Sequence, residues 1–428
     1  MAEEVLIVGC GVFGLSTAVE MAKRGYKVTA LDAYPVPSPW SASADYNKIV
    51  RTEYDNMFYT ELALEALESW RTDPDLSKVY SECGRITITP KHHSGRIEFE
   101  KRSIENLKSL SRASDIKHYA NVGDFARDFK QFGNNGFSED TKITFNPECG
   151  LGHAAKSLLI MKQRAEILGV HFKFGKGYET VNVVQKNERN YVLTKNGSMF
   201  TADKILICAG AGTARIVNLH NQTNATGLFV GHIKLTEDEY EKYKDIPIVF
   251  SAEDGYYFPP DPDTRIIKIA AAVDESCNVV TDQFKNHISL PRYKTHYPYD
   301  TIPKTSARDI TAFLEKTLPD LAYHKIINPK ICWISDTVDS NFLIDKIPDY
   351  SNVFVATGDS GHAYKFLPNI GKYISDRLED KLDLVSTERW SWKENNRPKS
   401  LDWRVKRKKI DLARSNCDFV IETDASKL

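Results

Sequence analysis

A glycine-rich turn between two short apolar segments constrains the fold of this chain more than any other feature. Residues 5–8 are an apolar run, and residues 9–14 read Gly-Cys-Gly-Val-Phe-Gly, a GxGxxG motif. Apolar residues then recur at helical spacing through residues 15–24, and a second apolar run, residues 28–31, ends at Asp32. This order predicts a strand, a tight turn, a helix and a second parallel strand, which together begin a Rossmann-type unit.

The residues of this unit predict a dinucleotide site. Gly9 permits the tight turn, Gly11 lets the backbone approach a pyrophosphate, and Gly14 allows close packing of helix and strand. Asp32 stands 18 residues after Gly14, where a carboxylate can accept hydrogen bonds from an adenosine ribose. The predicted contacts are Gly9, Gly11, Val12, Phe13, Gly14 and Asp32. The alternative is a glycine turn in an unrelated α/β unit.

The position of the motif, at residue 9 of 428, favours FAD over a nicotinamide cofactor. Two later segments, residues 205–212 and 353–361, also read as a buried strand that enters a glycine turn. The second segment precedes a predicted helix over residues 366–380, whose N-terminus would stabilise negative charge on a reduced flavin. An NAD(P)-dependent dehydrogenase is the alternative from another class, and a binding protein without activity is a third.

Composition excludes several classes of partner. The chain has 57 Lys and Arg against 58 Asp and Glu, a net charge of −1, which argues against binding nucleic acid or an anionic membrane by charge alone. No apolar run approaches the ~18 residues that span a bilayer. The seven cysteines are dispersed without CxxC or other metal-type spacing, which favours reduced thiols and predicts no metal site.

The chain resembles the monomeric sarcosine oxidase family of FAD-dependent amine oxidases. That group also holds pipecolate oxidases, saccharopine oxidases and the fungal fructosyl amino acid oxidases, or amadoriases. The resemblance extends from about residue 4 to 395 and is carried by residues 9–14, 41–51, 231–236, 266–268, 331–337, 341–344 and 357–365. The last blocks, Ile-Cys-Trp with its flanking residues and Thr-Gly-Asp-Ser-Gly-His-Ala-Tyr-Lys, are the specific ones.

The resemblance implies an α/β fold in which a Rossmann-type FAD-binding domain is interleaved with a mixed-sheet α+β catalytic domain. We assign residues 1–82, 146–225 and 325–395 to the FAD-binding domain and residues 83–145 and 226–324 to the substrate domain. Residues 396–428 are predicted to be a polar C-terminal tail. Its basic run, residues 404–409, could be a nuclear signal or a polyanion patch, but a solvated tail is the favoured interpretation.

The resemblance also implies roles for individual residues. Cys332 would be linked through sulfur to the flavin 8α-methyl, the alternative being an inert buried thiol. Lys268 would activate oxygen, although alone it reads as a solvated side chain at a strand end. Arg51 and Lys365 would hold the substrate carboxylate. His362 would tune the flavin or satisfy a backbone bond. The implied FAD contacts further include Ser41, Ser43, Asn47, Lys48, Gly358, Asp359, Gly361, His362, Ala363 and Lys365.

The implied reaction is oxidation of a C–N bond in a secondary amino acid by hydride transfer to flavin, followed by reduction of O2 to H2O2. By this resemblance, amadoriases carry a Glu four residues after the lysine that corresponds to Lys268, whereas this chain has Ala272 there. They also carry Trp-Arg-Trp-Arg near the C-terminus, whereas residues 390–393 of this chain read Trp-Ser-Trp-Lys. The segment 51–54 is more similar to saccharopine oxidases. Saccharopine is therefore the leading substrate, a fructosyl amino acid is second, and pipecolate or sarcosine is third.

The last three residues, Ser426, Lys427 and Leu428, match the peroxisomal import tripeptide. We therefore expect a peroxisomal location and an import receptor as partner, which suits an enzyme that releases hydrogen peroxide. Chance is the alternative explanation of the tripeptide. The resemblance further implies a monomer.

Overall fold

The computed structural model describes residues 2–394 and 407–421 of the chain. Its strands are β1 (Glu4–Val8), β2 (Lys27–Asp32), β3 (Asn47–Val50), β4 (Tyr80–Ser81), β5 (Arg85–Pro90), β6 (Lys117–Tyr119), β7 (Thr141–Asn146), β8 (Gly150–His153), β9 (His171–Phe174), β10 (Thr180–Lys186), β11 (Arg189–Thr194), β12 (Met199–Phe200), β13 (Lys204–Ile207), β14 (Thr223–Lys234), β15 (Ile248–Ser251), β16 (Gly255–Tyr257), β17 (Ile266–Ala271), β18 (Asp274–Cys277), β19 (Val279–Thr281), β20 (His287–Ser289), β21 (Ile327–Thr337), β22 (Leu343–Lys346), β23 (Val353–Thr357) and β24 (Lys408–Asp411). Its α-helices are α1 (Val12–Lys23), α2 (Met57–Thr72), α3 (Ser94–Ser109), α4 (Val122–Asp128), α5 (Ala154–Ile167), α6 (Glu237–Tyr243), α7 (Lys304–Thr317), α8 (Ile370–Leu378) and α9 (Leu384–Trp390).

A six-stranded sheet carries the glycine turn. Its order is β22-β23-β13-β1-β2-β9, and all neighbours are parallel except the pair β22 and β23. Side chains of β1 alternate between two apolar clusters, with Val5 and Ile7 in one and Leu6 and Val8 in the other. The strand is apolar along its length because both faces of the sheet are covered.

A ten-stranded mixed sheet is the largest sheet among the described residues. Nine of its strands follow the order β24-β18-β14-β17-β16-β15-β5-β7-β6, and β21 pairs with β14 off this path. The 12-residue strand β14 is antiparallel to β17, β18 and β21. Helix α7 buries Ile310, Phe313 and Leu314 in the apolar cluster of this sheet. Smaller sheets join β10-β11-β12, β3-β8-β4 and β19-β20.

These sheets confirm the predicted α/β fold class, in which a Rossmann-type unit is combined with a second, mixed sheet. The exact domain boundaries stay a prediction. Strand β21 was assigned with the FAD-binding domain, yet it pairs with β14 of the larger sheet. Segments from distant parts of the chain therefore alternate between the two sheets.

Two local expectations differ from the structure. The predicted helix over residues 366–380 is divided into a short 3-10 helix, Tyr364–Phe366, and α8. The division occurs at Pro368, because proline has no backbone N–H to donate within a helix. Part of the basic run is ordered rather than extended freely into solvent: β24 pairs in parallel with β18, while the side chains of Lys408 and Lys409 are exposed. The basic residues 404–406 and the tripeptide 426–428 lie outside the described residues.

Among residues 2–394 and 407–421, no helix combines the length and the apolar character that crossing a membrane requires.

The contact between α1 and α8 gives a test of the packing around the glycine turn. A Cβ added at Gly371 would lie 2.1 Å from the Ser16 carbonyl oxygen, a backbone atom that cannot swing away. We expect Gly371→Ala to lower the free energy of unfolding by ~1–3 kcal/mol, because overpacking forces the helices apart. Urea unfolding measures the change.

The matched control is Gly136→Ala, where the nearest atom would lie 3.7 Å from the new Cβ. This variant should stay within about 0.5 kcal/mol of the wild type. Equal stabilities of the two variants would contradict the packing argument.

Candidate functional site

A cavity of about 420 Å³ lies where the parallel strands of the six-stranded sheet end. Ligands of such sheets bind at this edge, beyond the carboxyl ends of the strands. Twelve of the predicted cofactor contacts line the cavity: Gly9, Gly11, Val12, Phe13, Asp32, Ser41, Ser43, Lys48, Cys332, Asp359, Gly361 and Ala363. The cavity lining does not include Gly14, Asn47, Gly358, His362 and Lys365, nor Arg51 and Lys268.

The glycine turn has the geometry that a dinucleotide needs. Gly9 has a φ of +101°, and a Cβ there would lie 2.5 Å from the carbonyl oxygen of Cys208. A Cβ at Gly14 would lie 1.9 Å from the carbonyl oxygen of Gly9. Gly11 is the N-cap of α1 and supplies no side-chain cap, so the first turn of the helix meets the cavity with its backbone N–H groups.

The acid at the end of β2 completes this part of the site. One Asp32 oxygen accepts from the backbone N–H of Cys10 at 2.9 Å, and the other accepts from that of Tyr34 at 3.1 Å. Burial raises the pKa of Asp32, whereas the backbone donors oppose this effect. Together with the glycine turn and the size of the cavity, Asp32 fits the adenosine end of a dinucleotide such as FAD.

Strand β14 brings two predicted site residues, Cys332 and Lys268, to one sheet. Its register places Leu228 opposite Cys332 on β21 and His232 opposite Lys268 on β17. Because both partner strands pair with β14, residues 64 positions apart in sequence stand on the same sheet. The sheet pairing therefore builds the wall that faces the glycine turn.

Cys332 stands half-buried in that wall beside Lys48. The distance from Lys48 Nζ to Cys332 Sγ is 3.9 Å, and Lys48 Nζ also lies 3.0 Å from an Asp45 oxygen. The pKa of Lys48 is raised, because Cys332 and Asp45 together outweigh the lowering by burial.

Lys268 is fully buried and does not line the cavity. Its Nζ donates to the carbonyl oxygen of Asn47 at 2.9 Å, lies 2.7 Å from an Asp45 oxygen and is 4.8 Å from the centre of the Phe258 ring. Burial lowers the pKa of Lys268 to about 7, an effect that Asp45 opposes and Lys48 increases. The simple alternative of a solvated lysine at a strand end is wrong.

Arg51 and Lys365 converge on Tyr54. The guanidinium of Arg51 lies 4.4 Å from the centre of the Tyr54 ring, and Lys365 Nζ donates to the Tyr54 hydroxyl at 2.9 Å. Burial, then Arg51 and Arg85, lowers the pKa of Lys365 well below its usual range. The two predicted carboxylate-binding cations are thus held around one aromatic side chain, as a shared anion site requires.

His362 continues this network. Its Nε2 donates a hydrogen bond to the carbonyl oxygen of Ser340 at 2.9 Å. Its Nδ1 therefore accepts a hydrogen bond from the Tyr54 hydroxyl, which lies 3.0 Å away. The ring also stacks on Phe342, with centroids 4.8 Å apart. A backbone bond was one of the two roles considered for His362, and the structure contains that bond.

The final glycine segment shapes the other end of the cavity. Gly358 has a φ of +73°, and a Cβ there would meet the Thr337 methyl at 2.5 Å. Asp359 accepts from the backbone N–H groups of Ser335 at 2.8 Å and Gly361 at 3.0 Å. Burial raises the pKa of Asp359 to about 6.

Sequence reasoning missed the two buried carboxylates of the site, Asp45 and Glu53. Glu53 accepts from Arg85 at 3.1 Å and from Asn146 at 2.9 Å, while its own carbonyl oxygen accepts from Arg51. Both acids fall in the segments quoted for the resemblance, but short-range pattern gives no signal that they pair with residues far along the chain. The cavity also has an unpredicted aromatic and basic end, lined by Trp40, Lys176, Tyr178, Lys195, Arg215, Tyr293 and His296.

The two departures from the amadoriase pattern are visible in the structure. Ala272 is buried, and its N–H donates to the carbonyl oxygen of Asp254 at 2.9 Å. The Ser391 hydroxyl donates to the carbonyl oxygen of Glu388 at 3.0 Å. Neither position supplies a charged group for sugar hydroxyls.

Comparison with known proteins agrees with this geometry. Residues 4–377 match the family described as FAD dependent oxidoreductase (DAO). The chain is 42% identical to L-saccharopine oxidase of Schizosaccharomyces pombe, covering 96% of this chain and 98% of the relative. It is 24% identical to monomeric sarcosine oxidase of a Bacillus species, covering 92% and 97%. The solved structure of fructosamine oxidase from Aspergillus fumigatus (Amadoriase II) has a TM-score of 0.88 at 27% identity, covering 99% and 98%.

The pair of Glu53 and Arg85 should stabilise the fold in a pH-dependent way. Burial alone would raise the pKa of Glu53, but Arg85 and Arg51 outweigh it and bring the pKa to about 2. A carboxyl whose pKa is depressed on folding stabilises the fold above its unfolded pKa, and the effect is lost as pH falls through the folded pKa. We expect Glu53→Gln to lower the free energy of unfolding at pH 7 by about 3 kcal/mol.

The difference between Glu53→Gln and wild type should shrink as pH falls from about 4.5 towards 2. Urea unfolding over this range measures it. The control is Glu105→Gln, because Glu105 is exposed and its carboxylate lies 4.0 Å from the Lys101 ammonium. This control should change the free energy of unfolding by less than about 0.5 kcal/mol. A difference that is independent of pH would contradict the assignment.

Proposed function

Because the chain belongs to the family of FAD-dependent oxidoreductases, we propose that it oxidises a C–N bond of a secondary amino acid, with saccharopine as the leading substrate. The sequence-based assignments to this family and to FAD-dependent amino acid oxidation are confirmed. An NAD(P)-dependent dehydrogenase is no longer favoured, since the matched family is defined by FAD.

The observation that carries the proposal is the convergence of Arg51 and Lys365 on Tyr54. Glu53, the carboxylate nearest in sequence, already accepts from Arg85, and a substrate carboxylate beside Lys365 would oppose the burial that lowers the pKa of this lysine. A substrate carboxylate would receive paired N–H donors from the guanidinium and a point charge from the ammonium. This arrangement orients an amino acid by its acid group.

The chemistry that bound FAD supplies is acceptance of two electrons from the C–N bond and their delivery to O2. The chain contributes position and charge. Arg51 and Lys365 hold the carboxylate, Tyr54 relays the hydrogen bond from Lys365 to His362, and the buried ammonium of Lys268 stabilises negative charge that develops during oxygen reduction. The imine product then hydrolyses in water.

Saccharopine is favoured by the identity to the yeast saccharopine oxidase and by the absence of charged groups at Ala272 and Ser391. A fructosyl amino acid is the second candidate, because the fold is so similar to that of a fructosamine oxidase. Pipecolate and sarcosine are smaller substrates that the same carboxylate site would admit.

A peroxide-release assay over these substrates tests the proposal. We expect saccharopine to give the highest kcat/KM, followed by fructosyl-valine, with pipecolate and sarcosine lower.

In Arg51→Ala the KM for saccharopine should rise roughly 10–100-fold, because the substrate carboxylate loses a charge-assisted hydrogen bond. Faster turnover of fructosyl amino acids by a wide margin would contradict the substrate assignment, and an unchanged KM would contradict the carboxylate site.

We propose further that the flavin is attached covalently through Cys332. The position of Sγ in the cavity lining and the cation of Lys48 at 3.9 Å support this attachment. After acid precipitation, flavin should remain with the wild-type chain and be released from Cys332→Ala; intact-mass spectrometry measures the adduct. Cys208→Ala, the removal of another cavity thiol, is the control and should keep the adduct. Flavin released from wild type would contradict the linkage.

A peroxisomal location is part of the proposal. The tripeptide Ser426, Lys427 and Leu428 supports import by the peroxisomal receptor, and hydrogen peroxide is a product suited to that compartment. A monomeric state is proposed by analogy with the monomeric sarcosine oxidase that the chain resembles.

A further inference from the structure

The carboxylate of Asp45 lies at the centre of a buried group of cations. Its oxygens are 2.7 Å from Lys268 Nζ, 3.0 Å from Lys48 Nζ and 3.2 Å from Lys330 Nζ. His232 Nε2 lies 4.0 Å away, and burial lowers the pKa of His232 to about 4, so this ring is neutral at physiological pH. One buried carboxylate thus faces three lysine ammonium groups.

The three lysines depend on Asp45 to different degrees. Their side chains are 33% exposed for Lys330, 17% for Lys48 and 0% for Lys268. Water can stabilise the charge on the first two, and Cys332 gives Lys48 a further polar neighbour. Lys268 has no contact with water, so its charge relies on the protein alone.

The ammonium of Lys268 also depends on Asp45 for its direction. Among the described residues, the acceptors for Lys268 are the Asp45 carboxylate and the Asn47 carbonyl oxygen. An ammonium has three N–H donors, so these two acceptors fix two of them, and the Phe258 ring lies 4.8 Å from the nitrogen. Asp45 therefore controls both whether the nitrogen carries its proton and where the remaining donor points.

We propose that Asp45 is the positioning residue of the oxygen step, and that it keeps Lys268 protonated and oriented at working pH. This inference rests on the role proposed above for Lys268. Without Asp45, burial and the two neighbouring ammonium groups of Lys48 and Lys330 all favour the neutral amine. Asp45 itself stays ionised, because these lysines hold its pKa well below the usual range although burial acts in the opposite direction.

The test compares wild type with Asp45→Asn, Asp45→Glu and Lys268→Met. The first readout is a pH titration of the visible absorption of the oxidised holoenzyme, without turnover. We expect an inflection near neutral pH in wild type, its absence in Lys268→Met, and a shift of at least one pH unit to lower pH in Asp45→Asn. Asp45→Glu, which keeps the charge, should remain close to wild type.

The second readout is the rate of reoxidation by O2 after photochemical reduction, which needs no amine substrate. Above its pKa, each unit by which the pKa of Lys268 falls lowers the ammonium fraction tenfold, so Asp45→Asn should be at least about tenfold slower at pH 8. Its rate should approach that of wild type as pH falls, because excess protons restore the ammonium. Lys268→Met should be slow at every pH.

Several results would overturn the inference. In the absorption titration, these are an inflection that is missing in wild type or that does not move in Asp45→Asn. In the reoxidation assay, they are a rate of Asp45→Asn equal to that of wild type at pH 8, or a rate of Asp45→Asn that is slow at all pH values, which would indicate structural damage. Failure of the proposed function is distinguishable, since it would appear as a flavin that no amino acid reduces under anaerobic conditions while photochemical reduction still works.

Discussion

The site depends on the neutralisation of buried cations. Lys268, Lys365 and Arg85 are almost entirely removed from solvent, and an isolated charge in such a place is expensive. Asp45 and Glu53 supply the opposing charge, and each carboxylate bonds to more than one partner. The basic partners of these carboxylates lie on four strands, β3, β5, β17 and β21. The ion pairs therefore form only when the strands are paired as observed.

The two carboxylates divide the site into separate regions. Glu53 belongs with Arg85, Arg51 and Tyr54, where the substrate acid group is proposed to bind. Asp45 belongs with the lysines of the larger sheet, where oxygen is proposed to react. Among the described residues, no ion pair joins the two regions.

The glycine turn, the helix that follows it and Asp32 were predictable because their geometry is local. A tight turn, a close helix contact and a strand-end acid are each determined within 28 residues, from residue 5 to Asp32. The resemblance then located Cys332, Lys268, Arg51 and Lys365, and the register of β14 explains how the first two come together.

The remainder could not be read from the sequence because it is formed by contacts between distant residues. Tyr54 and Lys365 are 311 positions apart, and no short-range pattern links them. Local sequence alone suggests that Lys268 faces water, as lysines usually do, whereas the structure buries it completely. Strand β24 was missed for a related reason: its Lys-Lys pair points outward while its backbone bonds to β18, and charge alone suggested a solvated segment.

Strand β24 has a consequence for biosynthesis. It covers the outer edge of β18, yet it is translated more than 130 residues after that strand, because β18 ends at residue 277 and β24 begins at residue 408. While the ribosome is still making the intervening chain, the edge of β18 has exposed N–H and C=O groups that could pair with another nascent polypeptide. This edge of β18 is covered only once residues 408–411 have been made.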